Sequence, residues 1–117
     1  MLSDKARLAL SDILDNAKLA QQFIAGMSLE SFKGDRRAFY AATGALEIIS
    51  EAARRLPAEL HARHPELPWR NIMDAGSIYR HGYENVAELR EWRTLHDSLP
   101  ALVTAVEQEL DRLDGGR

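Results

Sequence analysis

Apolar residues recur along this chain at spacings that alternate between four and three, the repeat of an amphipathic helix packed along one stripe. The first stripe consists of Ala6, Leu10, Ile13, Ala17, Ala20, Ile24 and Met27. A second follows a turn at Gly34 and Asp35 and consists of Phe39, Ala42, Leu46, Ile49, Ala53 and Leu56. No alternating β-branched run indicates a strand. The pattern therefore predicts an all-α fold.

Prolines divide the middle of the chain. Pro57 ends the second helix, and two further prolines limit residues 58–68 to a short helix and a bend. A third helix is predicted from Trp69 to about Tyr79, ending near His81 and Gly82, where a glycine can terminate a helix.

The last third of the sequence predicts a short helical piece around Leu89 and Trp92, followed by a final helix. We expect the cap of this final helix at Asp97 or Ser98. Its stripe consists of Leu99, Leu102, Val106, Leu110 and Leu113. The whole pattern predicts an antiparallel bundle of four main helices. The bundle is a single domain over residues 1–114, and residues 115–117 form a short flexible tail.

Composition limits the classes of function. The 117 residues include 15 Lys and Arg against 18 Asp and Glu, a formal net charge of −3. Proteins that coat nucleic acid are usually strongly basic, so any contact with a polynucleotide must be local. The lack of cysteine excludes disulfides, thiolate zinc sites and a cysteine nucleophile. Since there is neither a signal-peptide core nor a run of about 18 apolar residues, we expect a cytoplasmic protein with no membrane partner.

Common enzyme motifs are absent from the sequence. It contains no phosphate-binding glycine loop, no nucleophile elbow and no glutamate three residues before a histidine, as paired-metal bundles have. His61 and His64 share a helix face, but Pro65 follows directly, and we interpret both as solvated histidines in a connector. No metal and no cofactor are predicted.

Arginines are concentrated in the middle of the chain, despite the acidic total. They are Arg54, Arg55, Arg63, Arg70, Arg90 and Arg93. Surface ion pairs with Glu51, Glu59 and Glu91 are one explanation, and a surface that faces RNA is the other.

The residues with the strongest chemical signal lie between Ser77 and Tyr83. Arg80 and His81 are adjacent there, between the phenols of Tyr79 and Tyr83. A histidine transfers protons near neutral pH and an arginine pairs with phosphate oxygens, which are the two functions that metal-free phosphodiester cleavage requires. The alternative is that both side chains only balance the negative end of a helix.

The stretch from Phe23 to Leu102 resembles the HepT-like branch of the HEPN superfamily in the order and spacing of its motifs. The matching segments are Phe23–Ser28, Phe32, Ala45–Ile49, Glu51–Ala53, Pro65–Arg70, Ile72, His81–Tyr83, Trp92 and Leu99–Leu102. The resemblance implies a HEPN-type helical bundle that forms a homodimer, with its active cleft at the dimer interface.

The same resemblance implies a function. Members of this branch are toxin-like, metal-independent ribonucleases with a motif of arginine, four residues, histidine, one residue and tyrosine. In this sequence the motif histidine is His81 and the motif tyrosine is Tyr83. The implied partners are RNA and a nucleotidyltransferase antitoxin of the MntA type, which silences the toxin by transferring AMP onto the motif tyrosine.

The sequence departs from this motif at its arginine, since position 76 is Gly76. We hypothesise that Arg80, one helical turn later, replaces the missing cation, because a helical side chain leans back and Gly76 would leave room for it. Arg80 and His81 are then the expected catalytic residues and Tyr83 the modification site. The alternative is an inactive bundle that serves as a binding partner or substrate of a nucleotidyltransferase.

Overall fold

The computed structural model describes residues 4–76 and 84–115, and every regular element within them is helical. The prediction of an all-α fold is thus confirmed. The elements are α1 (Asp4–Phe23), α2 (Leu29–Lys33), α3 (Arg36–Arg55), α4 (Ala58–Arg63), α5 (Trp69–Asp74), α6 (Glu84–Arg93), a π-helical segment (Thr94–Ser98) and α7 (Leu99–Gly115). None of the helices in the described ranges is long and apolar enough to span a membrane.

The two long helices α1 and α3 pack antiparallel through the predicted stripes. Leu10 and Ile13 of α1, like Leu46 and Ile49 of α3, are fully buried. An ion pair of 3.2 Å joins Asp12, halfway along α1, to Arg55, the last residue of α3, so the second half of α1 can lie along α3 only if the two helices run antiparallel. Helix α7 also runs antiparallel to α1, since ion pairs join opposite ends of the two helices. The core therefore lies between α1, α3 and α7.

The short helix α2 was not predicted. Ser28 caps it, since its hydroxyl accepts from the Ser31 backbone N–H at 3.1 Å and Ser31 bonds back to the Ser28 N–H at 2.9 Å. The helix buries Phe32, and the centroids of the Phe32 and Trp92 rings lie 5.3 Å apart. The contact attaches α2 to α6 and thereby helps to position α6 on the core.

The prediction that a new helix begins at a cap on Asp97 or Ser98 is wrong. Helix α6 continues through the π-helical segment into α7, with the Leu99 N–H bonded to the Thr94 carbonyl five residues earlier. Pro100 gives the physical reason, because a proline lacks the N–H for a regular helical bond and its ring collides with the carbonyl four residues before it. Widening the preceding turn relieves this conflict without ending the helix.

Helix α5 corresponds to the start of the predicted third helix. It runs from Trp69 to Asp74, and residues 75–76 continue in 3₁₀ conformation. The Trp69 indole N–H donates to the carbonyl oxygens of His61 and His64 at 3.1 and 3.0 Å, which fixes the bend that precedes α5. The rest of the predicted third helix lies outside the described residues. The count of four main helices therefore stays a prediction.

Candidate active site

The three predicted site residues, Arg80, His81 and Tyr83, lie outside the described residues. The described chain includes the two helices that flank them in the sequence. Helix α5 ends directly before the motif, and α6 begins directly after it. The geometry of these two flanks is therefore what the structure contributes to the candidate site.

Gly76, which stands where the resemblance places the motif arginine, is packed against α3. A Cβ atom at this position would lie 2.8 Å from the Glu47 Cα and 3.2 Å from its Cγ. Real side chains do not approach a backbone atom so closely. The glycine thus allows the end of α5 to touch the backbone of α3, and an arginine would require the two helices to separate.

Two side chains of α3 fasten the end of α5. The Ser50 hydroxyl donates to the Ile72 carbonyl at 2.7 Å and accepts from the Gly76 N–H at 2.9 Å. The Arg54 guanidinium donates to the Met73 carbonyl. The carbonyl and N–H groups at this helix end thus have partners on α3, so the chain enters the motif from a fixed point.

This packing bears on the hypothesis that Arg80 replaces the motif arginine. The hypothesis assumed free space beside Gly76, but the backbone of Glu47 occupies the space where a Gly76 side chain would begin. That part of the expectation is wrong. The role of Arg80 itself stays a prediction.

A polar cleft of about 520 Å³ opens between α5 and the helix that follows the motif. Among the described residues, its walls are Asn71, Asp74, Arg90, Arg93, Thr94, Asp97 and Ser98. The five wall residues between Arg90 and Ser98 lie at helical spacing on one face of α6 and the π-helical segment. The continuous helix therefore presents two cations, two hydroxyls and a carboxylate to the cleft. The cleft is thus suited to a polar, charged ligand.

Arg90 and Arg93 are the cations of this cleft, and neither forms an ion pair with any residue that the structure describes. Other arginines behave as the ion-pair explanation expected. Arg54, for example, lies 3.5 Å from Glu51. Glu91, which was also expected to form an ion pair with an arginine, does not do so, because its side chain is buried on the other side of α6.

Glu91 points into the core, where it is 1% exposed. One carboxyl oxygen bonds to the Thr43 hydroxyl, and the other has no hydrogen-bond partner within the described ranges. Burial raises the pKa of Glu91 to about 7, aided by the charges of Glu47 and Glu88, while the bond to Thr43 opposes the shift. The burial of Glu91 was not predicted from the sequence, although its position four residues after Ala87 and four before Leu95 is a signal of burial.

A buried cluster around Glu109 of α7 was also not predicted from the sequence. The Arg63 guanidinium donates to both carboxyl oxygens of Glu109, at 2.6 and 3.2 Å, and His64 Nε2 lies 2.6 Å from the same carboxylate. The hydrogen bond from Arg63 lowers the pKa of Glu109. The interpretation of His64 as a solvated histidine is therefore wrong: it is buried and ties α4 to α7. His61 instead stacks on Trp69, with ring centroids 4.4 Å apart.

Comparison with known proteins identifies relatives over most of the chain. The family model described as "Ribonuclease HepT-like" matches residues 13–109. A protein of Thermococcus cleftensis named "Probable ribonuclease HepT" is 32% identical over 93 residues, which make up 80% of this chain and 84% of the relative. A protein of Caldanaerobacter subterraneus whose name describes it as an RNase is 30% identical over 103 residues, 88% of this chain and 92% of the relative.

A third relative, from Methanocaldococcus jannaschii, is also described by its name as an RNase. It is 28% identical over 98 residues, which are 84% of this chain and 90% of the relative. No solved structure matches the chain at a comparable level of significance.

Proposed function

Because the chain belongs to the HepT-like ribonuclease family, we propose that it is a metal-independent RNA endonuclease of the HEPN type. We further propose that it is the toxin component of a toxin–antitoxin pair in the cytoplasm. The observation that carries the proposal is the family match over residues 13–109, a range that includes His81 and Tyr83, which we propose as the motif histidine and tyrosine.

The proposed reaction is an internal transfer within RNA. His81 removes the proton from a ribose 2′-hydroxyl, and the resulting oxygen attacks the adjacent phosphorus. The bond from phosphorus to the 5′-oxygen breaks, and this oxygen takes up a proton from an imidazolium. Arg80 stabilises the negative charge that develops on the phosphate oxygens. The products are a 2′,3′-cyclic phosphate and a free 5′-hydroxyl.

In a homodimer, His81 of the partner subunit can donate the proton to the 5′-oxygen while His81 acts as the base. An exposed apolar surface on α1 and α3 supports this assembly. The ion pair between Asp12 and Arg55 identifies one side of the helix pair. Leu19 lies seven residues after Asp12 and Ile48 seven before Arg55, so both fall on that side at the same level.

Leu19 and Ile48 are each 45% exposed, and Phe23, one turn after Leu19, is 42% exposed. Gly44, one turn before Ile48, leaves open space in which another helix can approach α3. Large apolar side chains grouped in this way are typical of an interface rather than of a solvated helix face. We propose that two copies of the chain pair through this surface.

The proposed regulator is a nucleotidyltransferase antitoxin that transfers AMP onto Tyr83. The phenol oxygen attacks the α-phosphorus of a nucleoside triphosphate, and pyrophosphate leaves. The added phosphate places negative charge beside His81 and repels an anionic substrate. Mass spectrometry after co-expression with the cognate enzyme tests this step, since additions of AMP mass must vanish in the Tyr83→Phe variant.

Cleavage of RNA in the presence of a chelator tests the ribonuclease proposal. We expect the wild type to produce fragments with 2′,3′-cyclic phosphate ends and His81→Ala to produce none. Arg80→Ala should lower the rate at least about a hundredfold if Arg80 stabilises the transition state. Cleavage that is unchanged in Arg80→Ala but abolished in His81→Ala would overturn the role of Arg80 alone.

The packing of Gly76 favours a second candidate function. If position 76 is that of the motif arginine, this residue is missing, and any Cβ atom there would collide with the backbone of Glu47. An inactive bundle that binds a nucleotidyltransferase, or serves as its substrate, would tolerate this change. RNA that stays intact with both the wild type and His81→Ala, combined with AMP transfer to Tyr83, would favour this function.

A further inference from the structure

We infer that the cleft between α5 and the helix after the motif is a ribonucleotide subsite. In it, Arg90 and Arg93 bind a backbone phosphate and Asp97 binds a ribose 2′-hydroxyl. The inference rests on the proposed function in one respect, since it takes RNA as the ligand. It concerns binding, however, and does not depend on whether His81 cleaves the chain.

The two arginines provide the first argument. Arg90 and Arg93 lie three residues apart on α6, both line the cleft, and neither has a carboxylate partner in the described part of the chain. By contrast, Arg55 and Arg63 each hold a carboxylate within 3.2 Å. Two unpaired guanidinium groups in one concave surface are a site for an anion, and a phosphate suits their planar donors best.

The carboxylate of Asp97 provides the second argument. It lines the same cleft four residues after Arg93 but forms no ion pair with that arginine. A site for inorganic phosphate alone would gain nothing from a free carboxylate, which repels the ligand. A ligand that combines an anionic group with hydroxyl donors satisfies both groups, and the 2′-hydroxyl of RNA is such a donor.

The size and place of the cleft agree with this ligand. A volume of about 520 Å³ lies within the usual range for small-molecule sites and accommodates a single nucleotide. Its walls come from the two helices that flank the motif in the sequence, with Asp74 before it and Arg90 after it. A nucleotide held here would fix the direction in which RNA enters the proposed active site.

RNA binding in a His81→Ala background tests the subsite without cleavage. A fluorescent single-stranded RNA is titrated with this protein and with versions that also carry Arg90→Gln and Arg93→Gln. We expect the double change to weaken binding about tenfold. The slope of log K against log salt concentration should become shallower by about one unit or more, because fewer counterions are released. Arg112→Gln is the matched control, since Arg112 is an exposed arginine on α7 that forms no ion pair with the described residues and does not line the cleft. Equal binding by the double variant and the control would overturn the inference.

The Asp97→Ala variant distinguishes a ribose contact from simple electrostatics. Loss of a negative charge should strengthen binding to RNA and DNA alike if the carboxylate only repels phosphate. If Asp97 accepts a hydrogen bond from the 2′-hydroxyl, the preference for RNA over DNA of the same sequence should fall about fivefold or more. An unchanged preference would overturn the ribose contact.

The two proposals fail in different ways. A wild type that binds RNA through Arg90 and Arg93 without cleaving it would overturn the ribonuclease proposal and support the subsite. A wild type that cleaves RNA equally well with both arginines replaced would overturn the subsite and support the ribonuclease.

Discussion

The carboxyl group of Glu91 is buried against the hydroxyl of Thr43, 48 residues earlier in the chain. The Thr43 hydroxyl also donates to the Phe39 carbonyl at 2.8 Å. The single hydroxyl proton of Thr43 is thus shared between the Phe39 carbonyl and the Glu91 carboxylate, so this bond stabilises the charged carboxylate less than burial disfavours it. The packing of α6 on α3 thus favours the neutral form of Glu91, in agreement with its pKa of about 7.

The free energy of unfolding should therefore fall as the pH rises from about 4.5, the ordinary pKa of a glutamate, to about 7, the pKa of the buried Glu91. The unfolded chain releases this proton near the ordinary value of 4.5, whereas the folded chain retains it up to about 7. Because the folded state binds more protons in this window, the free energy of unfolding decreases with rising pH, by up to about 3 kcal/mol. Glu91→Gln should flatten this dependence and be more stable than the wild type at about pH 8.

Chemical denaturation at several pH values measures this effect. Glu107→Gln is the control, since Glu107 is a half-exposed carboxylate on α7 that only approaches Lys18 at 3.8 Å. The control should keep the slope of the wild type. A wild type whose stability is constant between about pH 5 and about pH 8 would contradict the assignment of the buried neutral acid.

Glu109 should have the opposite pH dependence. The hydrogen bond from Arg63 lowers its pKa, so the folded state favours the ionised form. Its contribution is present above about pH 4.5 and is lost as the pH falls below that value. Glu109→Gln removes the charge on which Arg63 and His64 converge and should cost about 3 kcal/mol at neutral pH.

Glu107→Gln serves again as the control, because it lies two residues away on the same helix and changes a more exposed carboxylate. Thermal and chemical unfolding of both variants give the comparison. If Glu109→Gln proved as stable as Glu107→Gln, the ion pair between α4 and α7 would contribute nothing to the fold.

The long helices were predicted well from the sequence, because the spacing of their apolar residues alone indicates an amphipathic helix. The short helix α2 was missed because its start depends on reciprocal bonds between Ser28 and Ser31, which a stripe does not reveal. The continuous helix from residue 84 was divided wrongly, because Asp97 and Ser98 are residue types that commonly cap the start of a helix. In the candidate site, the close packing of Gly76 depends on where α5 lies on α3, and this tertiary contact has no local signature.

Substitution of Gly76 should destabilise the protein more than a helical glycine normally would. The Cβ of Gly76→Ala would meet the Glu47 Cα at 2.8 Å, and a backbone atom cannot move aside alone. We expect a loss of about 1–3 kcal/mol from the separation of α5 and α3. Gly115→Ala is the control, because its Cβ meets nothing within 4 Å and it lies at the end of α7, outside the apolar surface on α1 and α3. This variant should keep the stability of the wild type, and a Gly76→Ala variant as stable as the wild type would refute the contact.

A charge within the apolar surface on α1 and α3 should dissociate the proposed dimer. Ile48→Glu places a carboxylate where two copies would bury an isoleucine, and an uncompensated buried charge weakens an interface strongly. Ile48 is already half-exposed in the single chain, so the monomer should fold normally. Sedimentation velocity should show a dimer for the wild type and for Ala101→Glu, which places the same charge at an exposed position on α7. It should show a monomer for Ile48→Glu. A dimer that survives Ile48→Glu would place the interface on another surface.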